Sequence, residues 1–267
     1  MERLPPEVAE VAGRYLAQVD QRLPGAVDGL YLLGSLALDD YRPGQSDVDF
    51  VAVSEDPLDD AALDELEVIH ADLLAPFHFD GIYVTYRELA TDPAGARTPS
   101  AHEGRLARSG AFEVNPVVWH MMARKAIPVR GPAPDRLAVR WDPEAMRSWS
   151  LDNLNGYWAG LVARWRDTTP SRELVVHHYG LPWPVLGVSR LHHTVATAEV
   201  TSKAGGGRWA LDTFGPRWHP VVSTCLALRD GARVELYGEP AAMWGDGLDF
   251  AEMVIADARR LRGVTAS

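Results

Sequence analysis

The hydrophobic pattern of the chain changes once, at the Pro- and Gly-rich segment RGPAPDRLAVRWDP, residues 130–143. Before this segment, short apolar runs of strand length alternate with longer runs of helical spacing. After it, only helical spacing recurs. We therefore predict an α+β fold, in which a mixed sheet with flanking helices (residues 1–138) is followed by an all-helical bundle domain (residues 139–267).

Local patterns predict the individual elements of both domains. Apolar residues at helical spacing after Pro5 and Pro6 predict an opening amphipathic helix. In the rest of the first domain, the pattern predicts helices over residues 60–77 and 115–126, strands over 28–35, 46–54 and 79–86, and an extended stretch over 127–132. In the second domain it predicts helices over residues 142–167, 183–200, 219–234 and 249–262. The glycine-rich KAGGGRW, residues 203–209, is expected to be a turn that leads into a helix.

Charge and composition exclude several classes of partner. The 267 residues carry a formal net charge of −11 with no basic stripe, which disfavours nucleic acid as a partner. The single cysteine, Cys225, cannot build a disulfide framework or a thiolate zinc site. The sequence contains no run of about 18 apolar residues, the length needed to span a membrane. The charged N-terminal stretch is unlike a signal peptide. We expect a cytoplasmic protein with no membrane partner.

Two aspartates occupy alternate positions of the second predicted strand. Because side chains alternate along a strand, Asp47 and Asp49 point to one face, and Val48 and Phe50 point to the other. The two carboxylates would lie roughly 6.6 Å apart and repel each other by roughly 2.5 kcal/mol at an effective dielectric of about 20. A divalent cation between them would remove this repulsion, and a set of oxygen ligands favours Mg²⁺. The alternative interpretation is a pair of polar residues at a strand start that bind nothing.

A Gly-Ser pair precedes the two aspartates by 12 to 14 residues. Gly34 permits close approach of a backbone, and the Ser35 hydroxyl and the first amides of a helix that begins near Ser35 can hold a phosphate. Together, the pair and the aspartates predict an anion cradle beside a metal site. That combination suits the binding of a magnesium–nucleotide complex.

The segment GSLALDDYRPGQSDVDFVAV resembles the signature of the DNA polymerase β-type nucleotidyltransferase superfamily. In that superfamily two aspartates hold two Mg²⁺ ions, and a third carboxylate on a neighbouring strand completes the site. The resemblance implies that Asp47 and Asp49 are catalytic metal ligands and that Asp80, in HFDGIYVTY, is the third ligand or the base. Without the resemblance, Asp80 alone would be read as a solvated residue at a strand start.

The helical domain resembles that of the aminoglycoside (spectinomycin/streptomycin) adenylyltransferases. The resemblance lies in VLGVSRLHHTVATAEVTSKAGGGRWALD, residues 185–212, and in NPVVWHMMARKAIPVRGP, residues 115–132. In that family an arginine, a lysine and a tyrosine of the helical domain reach back to the ATP co-substrate. They correspond here to Arg190, Lys203 and Tyr237, and the two cations, Arg190 and Lys203, would neutralise a triphosphate.

Two departures from the family pattern concern the base and the acceptor. The third acid of the family is commonly Glu and takes the proton from the antibiotic hydroxyl. Asp80 is one methylene shorter, so the hydroxyl must approach more closely or a water must bridge. The Trp and Asp of streptomycin-handling members align with His177 and Gly180, which favours spectinomycin over streptomycin. His178 and Trp183 are further candidates for the acceptor site.

These observations predict a magnesium-dependent enzyme that transfers AMP from ATP to a hydroxyl of a small, cationic acceptor of aminoglycoside type and releases pyrophosphate. One alternative is a non-catalytic, nucleotide-binding or antitoxin-like regulatory member of the same fold. The other is an adenylyltransferase that acts on a metabolite other than an antibiotic, or on a protein. The sequence indicates nothing about oligomeric state.

Overall fold

The structure is a computed structural model and describes residues 4–73, 78–111 and 113–265. Contacts between Cα atoms divide the chain into two compact units, Met1–Asp142 and Pro143–Ser267. The assignment of residues 1–138 and 139–267 to two functional domains stays a prediction. Within the described ranges, none of the helices is both long enough and apolar enough to cross a membrane.

The first unit is built on one mixed sheet. Its strands are β1 Gly29–Leu32, β2 Val48–Ser54, β3 Phe79–Thr85, β4 Thr98–His102, β5 Arg105–Gly110 and β6 Ile127–Arg130. Its helices are α1 Pro6–Arg22, α2 Gly34–Ala37, α3 Asp60–Asp72, α4 Tyr86–Leu89 and α5 Pro116–Arg124, followed by a 3₁₀ turn at Pro134–Arg136. The strand order is β5-β4-β3-β2-β1-β6, with β2 and β3 parallel and the other pairs antiparallel. The predicted mixed sheet with flanking helices is confirmed.

One face of this sheet forms the core of the first unit with α1 and α3. Phe50 of β2 stacks on Phe79 of β3 with 4.5 Å between ring centroids, and it contacts Tyr15 of α1 and His70 of α3 at 5.7 Å each. Since side chains alternate along a strand, Asp49 and Asp80 point to the opposite face. The same apolar residues that build the core therefore direct both carboxylates away from it.

The second unit is helical throughout its described residues, as predicted. Its helices are α6 Pro143–Asn153, α7 Ala159–Trp165, α8 Arg172–Val176, α9 Pro182–Thr197, α10 Lys203–Thr213, α11 His219–Arg229 and α12 Pro240–Thr265, with a π-helical turn at Leu154–Trp158 and a 3₁₀ turn at Pro216–Trp218. Helix α9 lies at the centre, because most of its side chains are buried and it packs against α6, α10, α11 and α12. Together the two units confirm the predicted α+β class.

Several predicted elements differ from the observed ones. The helix predicted over residues 142–167 is interrupted by the π-helical turn, which contains Gly156. The helix predicted over 60–77 is described to Asp72, and residues 74–77 lie outside the described residues. The β4–β5 hairpin and α8 were not predicted. The last helix begins at Pro240, nine residues earlier than predicted.

The glycine-rich KAGGGRW is part of helix α10, so the prediction of a turn was wrong. Ser202 caps the helix by accepting a hydrogen bond from the Gly205 amide at 3.0 Å. A Cβ atom on Gly206 would lie 2.7 Å from the backbone nitrogen of Arg190. Gly206 is therefore needed for close packing of α10 against α9 rather than for a flexible turn.

Candidate active site

Asp49 and Asp80 lie side by side on the two parallel strands of the sheet. They are register partners in the β2–β3 ladder, where neighbouring strands are about 4.8 Å apart. In-register residues of parallel strands point to the same face, so the two side chains are neighbours. Asp47 does not lie in the strand as predicted, because β2 begins at Val48. It precedes the strand by one residue, at the end where Asp49 and Asp80 lie.

Gly34 packs directly against the Asp49 carboxylate. Its φ of +55° lies in the left-handed region, and a Cβ atom there would come within 1.6 Å of Oδ2 of Asp49. The preceding Leu33 amide donates a hydrogen bond to the Asp49 carbonyl oxygen at 2.9 Å. A side chain at residue 34 would be strained and would also collide with Asp49. Only a glycine at residue 34 therefore allows the Asp49 carboxylate to occupy this position.

The Ser35 hydroxyl is buried and has no hydrogen-bond partner among the described residues. A buried polar atom without a partner carries a desolvation cost of about 1–3 kcal/mol, which a ligand that hydrogen-bonds to it would offset. The helix predicted to begin near Ser35 is a single turn, Gly34–Ala37. A dipole of the size expected for a long helix is therefore absent, and a phosphate here would depend on local amide and hydroxyl donors.

Asp80 is held by two hydrogen bonds that the sequence did not predict. Nδ1 of His102 lies 2.8 Å from its Oδ2, and the Glu103 amide donates to its Oδ1 at 2.9 Å. An ionised carboxylate only accepts, so His102 is the donor. Asp80 is 4% exposed. Its carboxylate is therefore not a solvated group at a strand start, which was the reading of this residue taken alone.

The donor set fits Mg²⁺ in its chemistry. Asp47, Asp49 and Asp80 supply oxygen ligands only, and Asp49 and Asp80 are neighbours on one face. In the part of the chain that is described, however, no group of three or more His, Cys, Asp or Glu side chains is arranged to hold a metal ion. The assignment of the three aspartates as metal ligands stays a prediction.

Arg190 and Lys203 belong to the two closely packed helices of the second unit. Lys203 is the first residue of α10, and its Nζ lies 4.6 Å from the centre of the Trp183 ring, a cation–π contact. Arg190 lies on α9, where its backbone faces Gly206. Both side chains are partly exposed. They are thus ordered cations at the surface of the helical unit, in keeping with a role in binding an anion.

Tyr237 lies in the connection between α11 and α12 and is 43% exposed. Its hydroxyl donates a hydrogen bond to the Asp246 carboxylate at 3.0 Å. Partial burial and this carboxylate both raise the pKa of the tyrosine above its usual value. The hydroxyl thus has a protein acceptor, and the contact of Tyr237 with the nucleotide stays a prediction.

His177, His178, Tyr179 and Trp183 form a continuous aromatic patch before and at the start of α9. Ring centroids are 4.3 Å apart for His177 and His178, 4.1 Å for His178 and Tyr179, and 5.5 Å for Tyr179 and Trp183. Burial lowers the pKa of His178, and His177 and Lys203 lower it further. A neutral histidine beside exposed rings suits the apolar faces of a ligand better than a second cation would.

Gly180, inside this patch, leaves no room for a side chain. A Cβ atom there would lie 1.7 Å from the carbonyl oxygen of Leu174. The aspartate that aligns with this position in streptomycin-handling members could not be introduced without moving the backbone. The absence of the acid is therefore a feature of the local fold and not a simple side-chain replacement.

Two family models match the chain. Residues 14–86 match the nucleotidyltransferase domain, and residues 160–243 match the C-terminal domain of aminoglycoside adenylyltransferases. The first range contains Gly34, Ser35, Asp47, Asp49 and Asp80, and the second contains all the candidate residues of the helical unit. The chain belongs to the aminoglycoside adenylyltransferase family. The predicted family and enzyme class, a nucleotidyltransferase, are confirmed.

The fold of this adenylyltransferase is also that of a solved relative. The spectinomycin adenyltransferase AAD(9) from Enterococcus faecialis, solved with ATP and spectinomycin, is similar with a TM-score of 0.68. The match covers 91% of this chain and 98% of that chain, at 14% sequence identity. At this identity the likeness shows the fold alone. No curated protein matches the sequence.

Proposed function

We propose that this protein transfers AMP from ATP to a hydroxyl group of a small cationic acceptor and releases pyrophosphate. The observation that carries the proposal is the contact of Gly34 with Asp49 next to Asp80. The glycine lets a ligand come close to the backbone at a point beside the two carboxylates. Such an arrangement serves a ligand that is itself anionic and is accompanied by a divalent cation.

The reaction requires one proton acceptor beside the acceptor hydroxyl. The hydroxyl oxygen attacks the α-phosphorus of ATP, the new O–P bond forms, and the bond from the α-phosphorus to the bridging oxygen of pyrophosphate breaks. Asp80 takes the hydroxyl proton, directly or through a water, and the electron pair of the broken bond leaves with pyrophosphate. Asp80 suits this role because both of its carboxylate oxygens accept hydrogen bonds, one from His102 and one from the Glu103 amide, which hold the carboxylate in place.

Asp47, Asp49 and Asp80 would hold Mg²⁺, in the two-ion arrangement that the superfamily resemblance implies. When bound, the metal neutralises charge on the attacking and leaving oxygens. The β2–β3 ladder holds the backbones of Asp49 and Asp80 side by side, and Gly34 leaves room for the Asp49 carboxylate, so the chain itself places two of the three ligands.

Further residues would bind the nucleotide. Gly34 and Ser35 would contact phosphate, and the orphan hydroxyl of Ser35 supports this assignment. We also assign Arg190, Lys203 and Tyr237 to nucleotide binding. Two cations on a neighbouring pair of packed helices suit a triphosphate, whereas Tyr237 already donates to Asp246 and would have to exchange that partner or contact the nucleotide with its ring.

We propose an aminoglycoside-type antibiotic as the acceptor, with spectinomycin in preference to streptomycin. The aromatic patch offers His177, His178 and Trp183 as a stacking and packing surface, and the net charge of −11 favours a cationic compound. Gly180 excludes the acid that would pair with a streptomycin cation. The similarity to a spectinomycin adenyltransferase is in keeping with this preference.

An acceptor panel tests this proposal. Wild-type protein and an Asp47→Ala variant are incubated with ATP, Mg²⁺ and spectinomycin, streptomycin or other aminoglycosides, and pyrophosphate release is measured. We expect Mg²⁺-dependent release with spectinomycin for the wild type and none for the variant. Silence of the wild type with every antibiotic, despite ATP binding, would refute the antibiotic role and favour a regulatory protein or another acceptor.

A further inference from the structure

The β4–β5 hairpin brings two hydrogen-bond donors to the Asp80 carboxylate. A two-residue turn, Glu103 and Gly104 with φ of +50° and +72°, joins the strands, and His102 pairs with Arg105 to close it. Positive φ at both central residues is the turn whose twist matches that of the flanking strands. The turn geometry and the pairing of His102 with Arg105 together set the direction of the Glu103 amide.

The sheet register places this turn beside Asp80. Strands β3 and β4 pair Gly81 with Ala101, so the next step of the antiparallel ladder sets Asp80 opposite His102. His102 and the Glu103 amide then contact different oxygens of the same carboxylate, at 2.8 and 2.9 Å. One donor on each oxygen fixes the rotation of the carboxylate plane, while each oxygen keeps lone-pair capacity for a further ligand.

Exposure distinguishes the two partners of this contact. The side chain of Asp80 is 6% exposed, whereas that of His102 is 55% exposed. A donor needed only to compensate a buried charge would act on stability. A donor that orients a carboxylate for its ligands also affects metal affinity and turnover. Loss of a hydrogen-bond partner of a metal ligand lowers metal affinity or activity by roughly 10–100-fold.

We propose that His102 is a positioning residue for Asp80, acting together with the Glu103 amide. The inference rests on the proposed function, because it assigns to His102 the orientation of the carboxylate that takes the acceptor proton and helps to hold the metal. His102 itself does not touch the substrate in this role. It sets the direction of the Asp80 oxygens.

Two substitutions at residue 102 test the proposal. His102→Ala removes the donor, whereas the side-chain amide of His102→Asn can donate from nearly the position of Nδ1. Ser109→Ala, an exposed change on β5 of the same hairpin, is the matched control. Each variant is assayed for kcat and for the KM of ATP with the acceptor that the wild type uses, and for melting temperature.

We expect His102→Ala to lower kcat by roughly 10–100-fold with little change in the KM of ATP, and His102→Asn to restore most of it. Affinity for Mn²⁺ in the presence of ATP, measured by calorimetry, should fall in His102→Ala and recover in His102→Asn. Wild-type kcat and Mn²⁺ affinity in His102→Ala would overturn the proposal, as would a loss of melting temperature alone. If the wild type uses no acceptor, the proposed function fails, and the Mn²⁺ measurement still decides the role of His102.

Discussion

Replacing Gly34 by Ala should disable the site while leaving the fold intact. The added Cβ atom would lie 1.6 Å from Oδ2 and 2.5 Å from Cγ of Asp49. Since Cβ atoms essentially never approach another atom closer than 3.0 Å, the carboxylate must move by about 1.4 Å. A misplacement of about 1 Å in an active site is enough to lower the rate by roughly 100-fold. We therefore expect kcat to fall by at least that factor.

The same substitution has a separate effect on stability, which a control isolates. A non-glycine residue in the left-handed region costs about 1–2 kcal/mol, which lowers the melting temperature by roughly 2–4 °C per kcal/mol in a protein of this size. Gly25 has a φ of +80° and open space around its Cα. Gly25→Ala should show the same loss of stability with wild-type activity.

Steady-state kinetics with a responsive acceptor and thermal unfolding of both variants decide the outcome. If Gly34→Ala kept wild-type kcat, Asp49 would not need the position that the glycine gives it. If Gly25→Ala lost as much activity as Gly34→Ala, backbone strain rather than displacement of Asp49 would explain both. Either result would refute the reasoning.

Three further predictions concern the cations, the packing and the pH dependence. Lys203→Gln should lower kcat/KM for ATP by roughly 10–100-fold, since a hydrogen bond to a charged group contributes about 1.5–3 kcal/mol; an unchanged kcat/KM in steady-state assays would exclude Lys203 from nucleotide binding. Gly206→Ala should lower the free energy of unfolding in urea by about 1–3 kcal/mol, because its Cβ would press on the Arg190 backbone. Gly245 of α12 has open space around it, so Gly245→Ala should raise the free energy of unfolding by about 0.5–1 kcal/mol. Equal effects of the two substitutions would contradict the packing of α10 on α9. Burial lowers the pKa of His70 to about 4. Below about pH 6.5 the folded state therefore binds fewer protons than the unfolded state. As the pH is lowered from about 6.5 towards 4, the free energy of unfolding decreases. Between pH 7 and 5 this histidine should remove about 2 kcal/mol, and His70→Gln should lack that part of the decrease in urea titrations; an identical decrease in both proteins would contradict it.

The fold was predictable where local patterns carry the information. Helical spacing in α1 follows from burial of one helix face, and the apolar run of β2 follows from burial of nearly all its residues, so Phe50 and Tyr15 were placed correctly in strand and helix. The β4–β5 hairpin was not found, because most residues of β5 are exposed and show no apolar alternation. An edge strand of this kind is held by its neighbour, and its sequence carries little signal.

The candidate site divides in the same way. Spacing along the chain singled out Gly34 and Asp49, and the superfamily resemblance added Asp80; the register of β2 and β3 then brought the two aspartates together. His102 could not be identified, since its role depends on which strand lies beside β3. The available signal was the glycine after Glu103, which is typical of a two-residue hairpin turn. The packing role of Gly206 in α10 likewise appears only once α9 lies against it.

The most direct test of adenylyl transfer follows the phosphorus atoms of ATP. Wild-type protein is incubated with Mg²⁺, a responsive acceptor and ATP labelled at either the α- or the γ-phosphate, and the products are separated. The proposed function predicts that the α label appears on the acceptor and the γ label in pyrophosphate, and that Asp49→Asn abolishes both. Transfer of the γ label to the acceptor with release of ADP would contradict it, as would transfer that survives in Asp49→Asn.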